Sequence, residues 1–588
     1  MQSEKFSLSV ALCAACIMLS AAACTSVPAQ EQAAATPSSE PTPAAVMQPE
    51  DQGVQPPQRP HIELTEDILY KLLVAEFAGL RGQLDVSMQN YLELARSTRD
   101  PELAARATRI AVYARDDQAA VTSAQIWLEL EPDNIDAHQV LAVMAVRKGD
   151  IEAALVHFDH IVNGTDKMLD QKLWVIANLL GKEQDQDTVR RVMERLIQGH
   201  ENDPAALYAY AHVLSRLNDD DSALEMLEKV LTLTPDNVNA NISYASILQQ
   251  QKKPEAAMAW MEKAVQRNEK DFDLRMYYAR LLTDENQYDA ARQQFEILVS
   301  QAPNNTDVLF ALGLLYLQSN RLDEAAMYFQ RLSTLDQQGG EAGYYLGRIA
   351  EEKGDLQEAA NWYQSLTEGA NYFDAQVRLG IILARQDRLD DARRHLQGVH
   401  AGNQEQKNIL VQSEAELLIE KKFYEDAMAI YDKALEDNQD SDLLYSRAML
   451  AEKMDRLDIL ERDLSAIVEL EPDNAQALNA LGYTLADRTT RYQEAYDLIR
   501  KALAISPNDF YILDSMGWVL YRMGRLDESI TYLTKALSTR QDPEVAAHLG
   551  EVLWVKGDKA AARQIWETAL QETPKDVRLL DVIKRFNP

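Results

Sequence analysis

The sequence predicts an all-α chain of about fifteen stacked helix pairs. Three observations carry this. The body is rich in Ala, Leu, Glu and Asp and poor in Gly, and runs of strand-like alternation are hard to find in it. A small residue, or one replacing it, recurs at Ala75, Thr108, Ala142, Ala177, Ala211, Ala245, Ala279, Gly313, Gly347, Gly380, Ala415, Ala448, Gly482, Gly517 and Gly550, every step being 33, 34 or 35 residues. Proline then falls 24 or 25 residues after this mark at Pro132, Pro235, Pro303, Pro472, Pro507 and Pro574.

The elements follow in chain order. Residues 1–23 hold Lys5, an apolar run from Phe6 to Met18 and the small residues Ala21, Ala22 and Ala23, the pattern of a secretory signal too short to span a bilayer. "SAAAC" resembles a bacterial lipobox, which implies that Cys24 is lipidated and becomes the new N-terminus. Cys13, Cys16 and Cys24 are the chain's 3 cysteines, so an exported body free of thiols is expected, and a Cys13–Cys16 redox or metal motif would leave with the signal. Residues 24–61 form a Pro-rich tether: 8 prolines fall between Thr25 and Pro60, with few large apolar groups to offset the entropy of ordering. Extended, it would reach roughly 100 Å.

From residue 62 to 574 each repeat has a physical reading. A second small position follows the first by twelve residues, as in Ser87, Ala120, Ala154, Ala223, Ala257, Ala291, Ala325, Ala359, Ala392, Ala427 and Ala562. Two antiparallel helices approach closely where facing side chains are small, and apolar residues such as Leu478, Leu481 and Leu485 fill the ridges around them. Proline ends the second helix. The "PDN" at Pro132, Pro235 and Pro472 supplies Asp and Asn suited to cap the next one. The repeats centred on Ala177, Ala415 and Ala448 are degenerate, and in the first and last of these Val189 and Leu460 stand where a small residue is expected. Residues 575–588 read as a capping helix over the last open face.

On these marks the chain resembles the tetratricopeptide-repeat family from about Ile62 to its end. The resemblance implies a right-handed superhelical solenoid whose first helices line a concave side. Positions six and three before the central small residue, and one after it, face inward on a helix of this register. They are Tyr208, His212, Asn239, Met276, Arg280, Phe310, Tyr344, Arg348, Tyr445, Asn479, Tyr483, Tyr511, Asp514 and Trp518. Rings give contact area at low entropy cost and polar groups bind main chain, so this set is a candidate surface for an extended peptide or protein. Several of these rings are expected to serve inter-repeat packing instead. A second candidate is the N-terminal helix, whose stripe of Ile68, Leu72, Leu73 and Phe77 offers a docking face.

The net charge of −34 disfavours nucleic acid and an anionic membrane surface, and favours basic proteins. The 9 histidines are scattered without HExxH or paired HxH, and there is no GxSxG and no phosphate-cradling glycine loop. The expectation is a protein without catalytic activity, cofactor or metal. The plan of lipobox, tether and acidic repeat body resembles the outer-membrane lipoprotein partner of a periplasmic carboxyl-terminal processing serine protease. That resemblance implies a lipid-anchored adaptor facing the periplasm of a Gram-negative bacterium, in touch with the membrane through its lipid only. It would hold the protease, docked at the Ile68–Phe77 stripe, together with peptidoglycan hydrolases as substrates. The competing expectation is a structural scaffold of a secretion or exopolysaccharide-export complex.

Overall fold

The computed structural model describes residues 62–163, 169–335 and 340–586, and they contain 31 helices and no strand. The signal segment, Cys24 and the tether lie outside the described residues. Fifteen helical hairpins follow one another, named below by their central small residue, and a single helix, Val577–Phe586, closes the series. Two compact units divide the chain. The first ends at Ala137 and holds the hairpins of Ala75 and Thr108; the second begins at His138, inside helix Ile135–Arg147, and holds the rest.

The hairpins share recurring devices at their helix ends. Asn of the "PDN" motif is the residue that caps, its Oδ1 accepting from a backbone N–H three residues on: Ala137 for Asn134 (3.1 Å), Ala240 for Asn237 (2.9 Å) and Ala477 for Asn474 (2.9 Å). At the turn, most first helices end in a left-handed residue such as Gly149, Asn218, Asn286, Asn320 or Gly557. The next N–H then reaches back five residues, as from Asp219 to the Leu214 carbonyl at 2.9 Å.

The central small residue is buried in every hairpin, and the structure shows what it faces. A Cβ added at Gly550 would lie 2.0 Å from Trp566 Nε1, one at Gly313 2.6 Å from Phe329 and one at Gly517 2.4 Å from Leu533. In each case the partner is a large side chain sixteen residues on. Small therefore meets large at the closest approach, while the second small position, twelve on, lets the backbones near one another. Where that second position is serine it also bonds across: Ser87 Oγ donates to the Ala75 carbonyl and Ser529 Oγ to the Gly517 carbonyl, both at 2.7 Å.

The degenerate hairpin of Ala448, with Leu460 at the second position, carries a buried ion pair. Arg447 donates from Nε and Nη2 to both oxygens of Asp463 at 2.7 and 2.8 Å, and from Nη1 to Asp432 at 2.7 Å.

The C-terminal end is held by a charged network over an apolar seat. Leu579 is buried with Ala547, Ala562 and Trp566, and Val582, Ile583 and Phe586 pack around them. Arg578 pairs with Glu544 and Arg585 with Glu551. On the same helix as Glu544 and Glu551, His548 Nδ1 donates to Asp514 Oδ1 of the preceding hairpin at 3.0 Å, beneath the Trp518 ring stacked at 4.2 Å. Desolvation lowers the His548 pKa, but the charge and hydrogen bond of Asp514, aided by Glu544 and Glu551, outweigh it and hold the imidazole above its ordinary value.

Two outcomes are expected. Gly550→Ala drives a methyl into the buried Trp566 and should cost about 1–3 kcal/mol; adding Trp566→Leu should recover much of that in the thermal midpoint of the C-terminal hairpins, and an unaltered midpoint in the single variant would contradict the close approach. A histidine with a raised folded pKa contributes stability that is complete below its unfolded value of about 6.5 and lost as pH rises through the folded value. The same midpoint should therefore fall on going from pH 6 to pH 9, and His548→Gln should flatten that slope; equal slopes would remove the pair from the account.

Candidate protein-binding surface

A 34-residue period returns each inward position to the same place on successive first helices, so a stripe of side chains is assembled from residues far apart in sequence. Within the second unit, two parts of that stripe are open and the stretch between them is mostly occupied by packing.

The first open part centres on Tyr208 and His212, both half-buried. Trp174, 39% exposed, stacks on Tyr208 at 5.7 Å and tilts over His212 at 4.5 Å. Tyr208 shares a 3.2 Å hydrogen bond with Ser243 on the next first helix, which extends the patch by one repeat. Burial, and then the charge of Arg216, lowers the His212 pKa, so the ring is neutral at neutral pH. Trp174 stands three residues before Ala177, a place the periodic rule for Tyr208 already reaches.

The middle of the stripe is largely used by the fold. Met276 is buried in the core of its hairpin. Phe310 meets Phe329 and Tyr345 edge-on at 6.0 and 5.7 Å. Tyr344 is buried and donates its hydroxyl to Asp374, with its pKa pushed up to about 12 by burial and by that bond. Arg280 is exposed and bridges to Asp307 of the following repeat at 3.2 Å. Asn239 is exposed, while Arg348 and Tyr445 are half-buried.

The second open part lies at the C-terminal hairpins. Tyr511 is 61% exposed, sits edge-on to Phe510 at 5.0 Å and accepts from Arg540 at 3.4 Å. Behind it Asn479 and Tyr483 are half-buried, and Asn479 Oδ1 is buried without a hydrogen-bond partner among the described residues. Burial, and then the charges of Glu544, Asp487, Asp514 and Glu452, push the Tyr483 hydroxyl far up. Asp514 and Trp518 face the same way but are buried; Asp514 is committed to His548, and the Trp518 indole N–H donates to Asp487 at 3.2 Å. Truncating Trp518 would cost about 3–5 kcal/mol of local stability, so Tyr511 is the residue that probes binding here.

The N-terminal helix Glu66–Leu80, in the first unit, is apolar on both sides. It buries Ala75 and Ala78, with Ile68 and Leu72 half-buried, and Leu72 lies against the Tyr91 core. Its other side exposes Leu69, Tyr70, Leu73, Phe77 and Leu80, Leu80 by 83%. Of the stripe read from sequence, Leu73 and Phe77 point outward; Leu69, Tyr70 and Leu80 join them by helical spacing and were missed. Among the described residues no three His, Cys, Asp or Glu side chains are placed to hold a metal ion, and no helix is long and apolar enough to cross a membrane.

Comparison with known proteins agrees with this architecture. A family model described as tetratricopeptide repeat matches residues 279–340, 328–373, 445–510 and 515–577, and another of the same description matches 374–397. A model of anaphase-promoting complex, cyclosome, subunit 3 matches 216–298. The TPR repeat-containing protein PA4667 of Pseudomonas aeruginosa is 39% identical over 516 residues, covering 87% of each chain. Among solved structures, YrrB, a TPR protein with an unusual peptide-binding site, is 20% identical with a TM-score of 0.27 over 33% of this chain and 97% of its own. The APC/C hetero-tetramer Cut9–Hcn1 is 15% identical with a TM-score of 0.24 over 78% and 97%. The helical hairpins, their period and this relative together make the chain a member of the tetratricopeptide-repeat proteins, with an all-α solenoid fold and a homologue in PA4667.

Proposed function

We propose that the protein is a non-catalytic adaptor that holds two kinds of protein at once. The observation that carries this is that each unit has uncovered surface: the large apolar face of helix Glu66–Leu80 in the first, and the two open parts around Trp174 and around Tyr511 in the second. Large apolar side chains left in water at rigid helix faces are the composition of interaction sites. In the finer form of this reading, Leu73 and Phe77 help to dock a periplasmic carboxyl-terminal processing serine protease, and the inward stripe of the second unit holds its peptidoglycan hydrolase substrates. The adaptor then works by effective concentration: two proteins bound to one chain meet as if joined, without any new contact between them. A lipid on Cys24 would anchor the chain to the outer membrane and restrict the search to that surface.

Two measurements bear on the reading. In capture from cross-linked envelopes, the unaltered chain should recover a serine protease together with wall hydrolases. Leu73→Asp with Phe77→Asp should lower protease recovery at least tenfold, Tyr511→Ala should lower hydrolase recovery, and neither should alter helicity, because the altered side chains are largely exposed. Recovery of channel subunits in place of both classes would favour the export scaffold and end the adaptor reading. Mass spectrometry of the mature chain should find an acylated N-terminal Cys24; an unacylated terminus elsewhere would remove the anchor.

A further inference from the structure

Four residues before the central small residue, three hairpins carry a polar side chain that bridges to main-chain carbonyls near the preceding loop. In the Ala245 hairpin, Asn241 Nδ2 donates to the carbonyls of Pro235 and Asn237 at 3.1 and 2.9 Å. In the Gly380 hairpin, Gln376 Nε2 donates to those of Tyr363 and Leu366, both at 3.1 Å. In the Ala279 hairpin the same place holds Arg275, whose Nη2 donates to the Glu269 carbonyl at 2.7 Å and Nη1 to Gln294 Oε1 at 2.6 Å. Neutral amides make this bridge in two repeats, so the bridge does not need the positive charge that Arg275 brings.

No carboxylate hydrogen-bonds that charge where it sits. Arg275 is only 6% exposed, both of its hydrogen bonds go to uncharged oxygens, and its Nε has no partner among the described residues. Desolvation pulls the guanidinium below its ordinary value, opposed by the charge of Glu269. Buried guanidinium groups are ordinarily matched by a carboxylate or phosphate, because an unpaired buried charge is costly. In a chain of net charge −34, where most arginines have acids to choose from, the missing partner stands out.

Arg275 also lines a pocket of ≈ 480 Å³ between the second helices Pro254–Arg267 and Tyr288–Gln301. Lys270 adds a second cation, and Val265, Tyr278 and Ile297 form apolar walls. Glu262 and Glu269 also line it, and both are solvent-exposed, where water and salt screen them more than they screen the buried guanidinium. We propose that this pocket binds a carboxylate carried on an apolar stem, its oxygens taking the spare N–H groups of Arg275 and the ammonium of Lys270 while the stem lies along Val265, Tyr278 and Ile297. A planar carboxylate matches the guanidinium fork. A phosphate would bring more charge past the two rim acids and leave the apolar walls unfilled. The stem belongs either to a polypeptide terminus with an apolar last residue or to a short fatty acid. This site is built from two second helices together with Arg275 and Tyr278 of the first helix Phe272–Asp284, and it uses none of the residues of the inward stripe.

Isothermal titration of the full chain tests it with two acids, acetyl-Ala-Ala-Leu and hexanoate, against their amides and against inorganic phosphate. At least one acid should bind, its amide should bind at least tenfold more weakly, and the tighter of the two acids identifies the stem. Arg275→Gln should lose at least tenfold in affinity while keeping its thermal midpoint, since Gln376 shows that glutamine can make the carbonyl bridge. Failure of both acids to bind, equal binding of acid and amide, phosphate binding as tight as the acids, or full affinity in a folded Arg275→Gln variant would each overturn the proposal. Should that variant not fold, the acid-to-amide ratio on the unaltered chain still decides.

Discussion

Closest approach within the helical hairpin is the constraint from which the rest of the structure follows. A side chain no larger than a methyl in the middle of the first helix lets a large side chain of the second lie across it, and that large group is buried throughout: Tyr91, Phe158, Leu227, Met261, Phe295, Phe329, Tyr363 and Trp566 all fall sixteen residues after a central Gly or Ala and are at most 3% exposed. In the hairpin of Gly482 the large group comes one residue later, at Ile499, and the departure in size at Thr108 supports the rule. Thr108 is larger than its counterparts, and the residue sixteen on is Ala124, so volume removed from one helix balances volume added to the other. Packing at interior density tolerates such exchanges and little else.

This constraint explains what the sequence made legible. Because the same steric condition recurs in every hairpin, it leaves the same mark at a fixed period, and both the helix pairs and their register could be read from Ala75 to Gly550. Ser87 reads from sequence as one more small residue at the second position, yet it and Ser529, which stands at the same place, also bond across the hairpin, a role that size alone does not announce. The site was less legible. Tyr344 and Tyr511 occupy inward-facing positions, but Tyr344 finds Asp374 and neighbouring rings whereas Tyr511 has mostly solvent around it. Helix register says which way a side chain leaves the backbone and does not say what meets it there.

A signal for the C-terminal network was present and is of a different kind. Asp514 and His548, Glu544 and Arg578, and Glu551 and Arg585 are each 34 residues apart. In a repeat of this length, residues one period apart sit at the same height on neighbouring first helices, so opposite charges at that spacing become cross-repeat pairs. The rule applies elsewhere in the second unit: Lys421 reaches Asp387 and Arg385 reaches Glu351, at 2.8 and 3.0 Å. Most such pairs are exposed and contribute little. The C-terminal ones differ because apolar groups seat the last helix beneath them and His548 and Glu551 are buried.

Repeat architecture also determines how binding at one place is felt at another. Each hairpin contacts mainly its neighbours, so stability is close to a sum of local terms and a ligand stabilises chiefly the repeats it touches. Over distances of many repeats such a chain has no single packed core able to switch between two arrangements, and coupling through it should be weak. A scaffold with that property lets two partners bind independently, each with its own affinity. What they gain from sharing the chain is proximity, set by where their sites lie along it, and proximity alone raises the rate of an encounter between them. Surfaces widely separated in sequence, such as the face of helix Glu66–Leu80 and the ring of Tyr511, are therefore suited to holding different proteins without either having to alter the other.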